Sequence, residues 1–356
     1  EAENALMLEE RMGEPAINFA DSEALPDGRL GDTQINSWRD RGFALVHNLL
    51  PVALLQTLKQ DALGFYPAPG TDAAAHFHNF GSGQKFVFPA ESSACNAITL
   101  HPSLLQAVAD LLGVTIKELR LTQSDLWPKY GHGDSDDALD NTDQRIHCDY
   151  PNHSLVHPPE WDSPEAVEII IYLNDYDECE GATAVVPREG PDDPAYPWPI
   201  TQTPGVAGLD YVNDRSKAEA YMAEHRPEAA QFRQQHLYAR ELVARYRFGS
   251  VLFYRHDTWH RGRPVKSGAL RLVQNLTFSK IGHDWLNVLH PGWCWSMYRG
   301  DKLMEKLVAE SSVEQRGVLG FPLPGHAYWT PHTLAAVEAR YRAFGIDMSP
   351  YRVALK

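Results

Sequence analysis

The sequence predicts a mainly β protein, a sandwich or barrel of short strands with helices at its periphery. Three observations carry this. Six runs rich in β-branched and aromatic residues crowd the stretch from 145 to 280: RIHCDY, AVEIIIYLND, GATAVVP, ELVARYRF, SVLFYRH and ALRLVQNLTFSK. Prolines and glycines punctuate them, as turns between short strands require. Apolar residues at helical spacing fall before these runs, within one insertion and after them.

Residues 1–33 are polar and turn-rich and read as an N-terminal arm over the surface. In WRDRGFALVHNLL a short helix ends at Gly42 and the strand FALVHNL follows. An amphipathic helix is expected from about Pro51, and a second in PSLLQAVADLLG, closed by Gly113. KELRLTQSDLWPKY reads as a strand. The acidic GHGDSDDALDNTDQ reads as a loop, with residues 134–143 as a solvated charge run or a lid over a cleft. Residues 191–240 form a long insertion, proline-rich first and helical later. A C-terminal extension, 281–356, contains a helix in TPHTLAAVEARYRAFG, with proline in its first turn. No internal repeat or low-complexity linker divides the chain. A single domain over 1–356, with its core at 34–280, is expected.

The 356 residues carry a formal net charge of −15. Nucleic acid and anionic membrane both need a basic face, so neither is expected as a partner. No apolar run approaches a membrane span, and no signal-peptide pattern opens the chain. The four cysteines, Cys95, Cys148, Cys179 and Cys294, are scattered with no C-x-x-C pair. That suits free thiols in a reducing cytoplasm and argues against thiolate-held zinc.

RHDTWHRGRP places His256 and His260 four residues apart. The zinc motif H-E-x-x-H uses that spacing on one helical face, with glutamate as base. Here the β-like SVLFYRH precedes the pair, RGRP stops any helix, and the acid is Asp257. A zinc hydrolase is therefore disfavoured, and His256 reads as a structural neighbour. In RIHCDY, strand alternation puts His147 and Asp149 on one face and turns Cys148 away. They are two-thirds of a 2-His-1-carboxylate site for Fe(II), and His260 is the candidate third ligand. Arg271 follows eleven residues later. On its strand, Leu270, Leu272, Leu276 and Phe278 share one face; Arg271, Val273, Asn275 and Thr277 share the other. A lone arginine heading the polar face of a barrel interior suits a carboxylate, which a guanidinium grips with two hydrogen bonds.

Together these residues resemble the phytanoyl-CoA dioxygenase-like branch of the Fe(II)/2-oxoglutarate oxygenases. The likeness runs from about residue 34 to 280. WRDRGFALVHNLL resembles the family's first helix and strand, HPSLLQAVADLLG its next helix, and YLNDYDECEGATAVVP its central strand pair. FGSVLFYRHDTWHRGRP resembles the strand carrying the distal histidine. The resemblance implies a double-stranded β-helix (jelly roll, cupin-like), with Fe(II) held by His147, Asp149 and His260. It implies 2-oxoglutarate with its distal carboxylate on Arg271, O2 as co-reactant, and a polar residue near the cosubstrate, where Lys129 stands. Succinate and CO2 would be released as a substrate C–H is hydroxylated. Related halogenases carry a small residue where Asp149 stands, so hydroxylation is favoured over halogenation. One departure is PREG, residues 187–190, where the family commonly has Gly-Ser-His after the proline.

A small or medium-sized metabolite is expected as substrate. The phosphates of an acyl-CoA call for clustered lysines and arginines, whereas the segment before the iron ligands is acidic. Arg226, Arg233, Arg240, Arg245 and Arg247 of and beyond the insertion are the counterweight. The alternatives are the same chemistry on an acyl-CoA, desaturation or ring formation, and a non-catalytic cupin-like metal-binding protein. His76 and His78 read as solvated. His132, His153 and His157 flank the H-x-D in what reads as ordinary loop. Trp127, Tyr150, Tyr172 and Trp259 read as core or pocket wall.

Overall fold

The computed structural model describes residues 17–77, 85–133, 136–196, 202–282 and 299–355. Ten strands fall in them: β1 (Ile17–Ala20), β2 (Ser22–Glu23), β3 (Phe43–His47), β4 (Leu119–Tyr130), β5 (Ala166–Tyr172), β6 (Thr183–Val185), β7 (Leu242–Arg245), β8 (Val251–Arg255), β9 (His260–Gly262) and β10 (Leu270–Lys280). They form a six-stranded sheet, β2-β3-β8-β5-β10-β4, and a four-stranded sheet, β1-β7-β6-β9.

Alternation along β10 sorts its side chains as the sequence predicts. Leu270, Leu272, Leu276 and Phe278 join Ile169, Ile171, Val251 and Phe253 in a core. The helices Val52–Phe65, Ser93–Thr99 and Pro102–Leu112 complete that core with Leu55, Leu58, Ile98, Leu104 and Val108. Val273 turns the other way and packs with Tyr172, Leu252, Ala184 and Val243, so the small sheet covers the opposite face. β5 is buried along its whole length, as a strand covered on both faces must be. Each such Leu or Ile contributes about 1.5–3 kcal/mol by leaving water, so the three-layer order of helices, large sheet and small sheet is fixed by burial. Gly42 and Gly113 close their helices in the left-handed region, at φ 98 and 69.

Three expectations are corrected. The chain is not mainly β: helix makes up 37% and strand 20%. The excess lies in the helices over the large sheet, in Arg215–His225 and Pro227–Phe232 of the insertion, and in the C-terminal extension. There Leu303–Glu310 and Pro331–Tyr341 surround a satellite core of Val308, Phe321, Trp329, Val337 and Tyr351. RIHCDY is not a strand. His147 makes a single bridge to His260, and Asp149 turns into the helical region (φ −85, ψ −23) before the one-turn helix Tyr150–His153. The N-terminal arm is not only surface: β1 adds to the small sheet, parallel to β7. Residues 1–16, His78 and Cys294 lie outside the described residues. Cys95, Cys148 and Cys179 are free and buried. No described helix is long and apolar enough to cross a membrane.

Candidate active site

His147 and His260 exchange two backbone hydrogen bonds of 2.9 Å, which sets their rings side by side with centroids 4.5 Å apart. Each ring turns Nδ1 to the carbonyl two residues earlier, His147 to Arg145 at 3.0 Å and His260 to Thr258 at 2.9 Å. A carbonyl can only accept, so Nδ1 carries the proton and the Nε2 lone pair is left to ligate. Both Nε2 atoms face one carboxylate, 3.4 Å from Asp149 Oδ1 and 3.4 Å from Oδ2. The Tyr254 hydroxyl donates to Oδ2 at 2.9 Å. Donors around one cation at about 2.1 Å stand roughly 3.0–3.4 Å apart. The three side chains fit one ion.

Their electrostatics suit that role. Burial, then the neighbouring His260, pushes His147 down to about 4. Burial also opposes ionisation of Asp149, but the two histidines outweigh it and hold the carboxyl well below its usual range. For His260 burial disfavours the cation, and Asp149 outweighs it, raising the pKa. Ionised Asp149 and neutral His147 are in the protonation state that a divalent metal needs, and a bound metal would displace the proton that Asp149 favours on His260.

Strand pairing builds the rest of the cavity in rows across β4, β10 and β5. Lys129 stands opposite Arg271, Trp127 opposite Val273 and Tyr172, Asp125 opposite Asn275 and Ile170, and Gln123 opposite Thr277 and Glu168. In the first row Arg271 is buried, donates from Nη1 to the Gly181 carbonyl at 2.6 Å, and has no partner for Nε. Gly181 permits this approach: its φ is +62, and a Cβ there would stand 3.4 Å from Arg271 Cδ and 2.4 Å from Val265. Lys129, 2% exposed, donates to the Arg263 carbonyl at 3.0 Å. Burial, then the charge of Arg271, pushes its ammonium well down. Among the described residues neither cation forms an ion pair. The cavity, about 190 Å³, is lined by both cations, by the metal-type triad and by the rows beyond.

A second group sits at the far rows. His256 Nε2 is 2.5 Å from Glu168 Oε1, and His153 Nδ1 is 3.6 Å from the same oxygen. The Thr277 hydroxyl donates to Glu168 Oε2 at 2.5 Å. HDTWH is thus divided: His260 faces Asp149 and His256 faces Glu168. It follows strand β8 and is not helical. His153, taken as a loop residue, is buried and lines the cavity. Glu168 had escaped notice, although it is the single charge in the apolar run AVEIIIY.

The remaining candidates fall away from the chemistry. Asp257 pairs with Arg255 at 3.0 Å, and Arg255 stacks 3.6 Å from the Trp161 ring centroid. Tyr150 and Trp259 pack in a core with Ile146. His76 is exposed, and His132 stacks on Tyr130. His157 is buried, its Nδ1 2.8 Å from the Pro158 carbonyl. The described part of the acidic loop is tied to the insertion: Asn213 and Asp214 donate backbone N–H to the Ala138 carbonyl, and Asp143 pairs with Arg215 and Arg261. Arg233 of the insertion is fully buried and holds the Ile146 carbonyl at 2.9 Å, bracing the segment that carries His147.

The family model for phytanoyl-CoA dioxygenase (PhyH) matches residues 38–273, a span that contains His147, Asp149, His260 and Arg271. The chain belongs to the phytanoyl-CoA dioxygenase family. Its class is that of 2-oxoglutarate-dependent oxygenases, whose cofactors are iron and 2-oxoglutarate. Solved structures that the chain matches include the non-heme alpha ketoglutarate dependent carbocyclase SnoK from nogalamycin biosynthesis. It is 13% identical, with a TM-score of 0.49, over 76% of this chain and 91% of that one. EctD from S. alaskensis is 14% identical, with a TM-score of 0.48, over 79% of this chain and 88% of its own. No curated protein matches the sequence.

Proposed function

We propose that this phytanoyl-CoA dioxygenase family member is a single-domain Fe(II)- and 2-oxoglutarate-dependent oxygenase. It hydroxylates a C–H bond of a small or medium-sized metabolite and releases succinate and CO2. The observation that carries this is a buried arginine with an unpartnered Nε in the same cavity as a 2-His-1-carboxylate group. A metal-binding protein without cosubstrate has no use for that cation, and a buried charge is costly unless something pairs with it.

In this reading His147, Asp149 and His260 hold the iron, and Arg271, with Lys129 opposite, holds the distal carboxylate of 2-oxoglutarate. Bound iron with 2-oxoglutarate and O2 supplies the oxidising power that no side chain has. The chain supplies placement. Carbonyls of Arg145 and Thr258 keep the two histidines in the ligating tautomer. Tyr254 orients Asp149. Trp127 walls the space between the anchor and the polar rows. The charge-assisted Arg271–carboxylate contact is strengthened by a site that excludes water.

The acids Asp125 and Glu168 on the cavity wall, and the acidic loop before His147, disfavour a polyanionic acyl-CoA. Succinate formation across acyl-CoAs, fatty acids, amino-acid derivatives and cyclic scaffolds tests the proposal, with product masses separating hydroxylation from desaturation or ring closure. A small metabolite should give coupled turnover. Efficient coupled turnover of an acyl-CoA, falling steeply with salt, would overturn the substrate assignment.

A further inference from the structure

The two ends of the cavity differ in charge. Lys129 and Arg271 form one end. At the other, pairing of β4, β10 and β5 sets Gln123, Asp125, Asn275, Thr277 and Glu168 on one face. Among the described residues Asp125 has only neutral partners, the Gln123 amide at 3.0 Å and the Trp127 indole N–H. Among the described residues no lysine or arginine pairs with Asp125 or Glu168. Glu168 is 3% exposed, and its Oε1 is held by the His256 imidazole; Nδ1 of His153, 8% exposed, and Nδ2 of Asn275 complete no hydrogen bond. Glu168, His153, Asp125 and Asn275 all line the cavity.

Orphaned polar atoms in a buried wall cost free energy unless a ligand completes them. His153, Glu168 and His256 also group as metal ligands do. The Glu168–His256 contact of 2.5 Å is, however, that of an ion pair; donors on a shared ion stand about 3 Å apart. Glu168 and His153 are on the cavity lining and His256 is not. A group entering there meets two carboxylates, an imidazole nitrogen, and an amide that offers its oxygen on a half-turn of the side chain. Three or more acceptors around a negative wall match the three N–H donors of an ammonium. Arg145, the other arginine on the lining, lies two residues before His147 and bonds the Pro204 carbonyl and the Asn213 side chain.

We propose that this acidic end is a recognition subsite for a protonated amine on the substrate, received by Glu168 and Asp125 with His153 and Asn275 completing its hydrogen bonds. The inference rests on the oxygenase reading, since Lys129 and Arg271 are matched there by the cosubstrate's carboxylate. It makes the substrate an amine-bearing metabolite, with the C–H to be oxidised between the ammonium and the metal triad.

The test uses the full chain with Fe(II) and 2-oxoglutarate, without oxygen. Lysine, putrescine and glucosamine are titrated by calorimetry beside the N-acetyl congener of each. At least one amine should bind, and its acetylated congener should bind roughly thirtyfold more weakly or worse, as loss of a buried charge pair requires. Glu168→Gln and Asp125→Asn, both isosteric, should each erase that preference. Equal binding of amine and congener overturns the subsite, as does binding by no amine of the panel or a preference intact in both variants. The visible cofactor band is read in the same samples. A normal band without amine selectivity sinks the subsite alone, whereas a missing band sinks the oxygenase reading.

Discussion

Lys129 and Arg271 stand opposite each other on adjacent antiparallel strands, both buried, each donating to a backbone carbonyl and, among the described residues, neither to a carboxylate. Burial and the charge of Arg271 push the Lys129 ammonium well down, and an anion arriving between the two would restore it. Arg271→Leu should therefore raise the KM for 2-oxoglutarate several hundred-fold, the equivalent of about 3–5 kcal/mol for breaking a buried charge pair. Iron binding should barely change. Steady-state kinetics with a parallel metal titration reads both, and an unchanged KM removes Arg271 from the site.

The division of HDTWH makes the second prediction. His147→Ala, Asp149→Ala and His260→Ala should each abolish 2-oxoglutarate turnover and leave well under one iron per chain by metal analysis. His256→Ala should retain iron and measurable turnover, because His256 faces Glu168 and not Asp149. Loss of iron from His256→Ala as complete as from His260→Ala would mean the ligands are misassigned.

The Glu168–His256 pair sets a pH dependence. Burial disfavours the His256 cation, but Glu168 outweighs it, so the folded pKa lies above 6.5. A group raised on folding stabilises fully below its unfolded pKa, about 6.5, and loses that contribution as pH rises through the folded value. In metal-free protein, the Tm advantage of wild type over His256→Gln should be largest below pH 6.5 and shrink at higher pH. An advantage that grows with pH contradicts the pair.

The grouping of the candidate ligands with Arg271 was more legible in the sequence than the architecture around it. His147, Asp149, His260 and Arg271 are brought to one cavity, and the two faces of β10 were readable because Leu270, Leu272, Leu276 and Phe278 alternate with Arg271, Asn275 and Thr277. The route by which Asp149 reaches the site was not readable. Alternation suggested a strand, whereas one bridge at His147 and a helical turn at Asp149 do the work. His153 and Glu168 lie in different segments and acquire meaning only when folding buries them against each other. Helix content was underestimated because the fold class was read from the strand-rich stretch 145–280, while helices in the insertion and the extension, Leu303–Glu310 among them, pack outside it, as around the satellite core of Phe321 and Trp329.

In the proposed function one cavity holds Fe(II) on His147, Asp149 and His260 together with 2-oxoglutarate on Arg271. The most direct measurement is the visible charge-transfer band of the Fe(II)–2-oxoglutarate chelate, recorded without oxygen on wild type, Arg271→Leu and His260→Ala. Wild type should show the band at near-stoichiometric 2-oxoglutarate, Arg271→Leu only at several hundred-fold more, and His260→Ala not at all. No band in wild type, or the same band in all three proteins, would contradict the account.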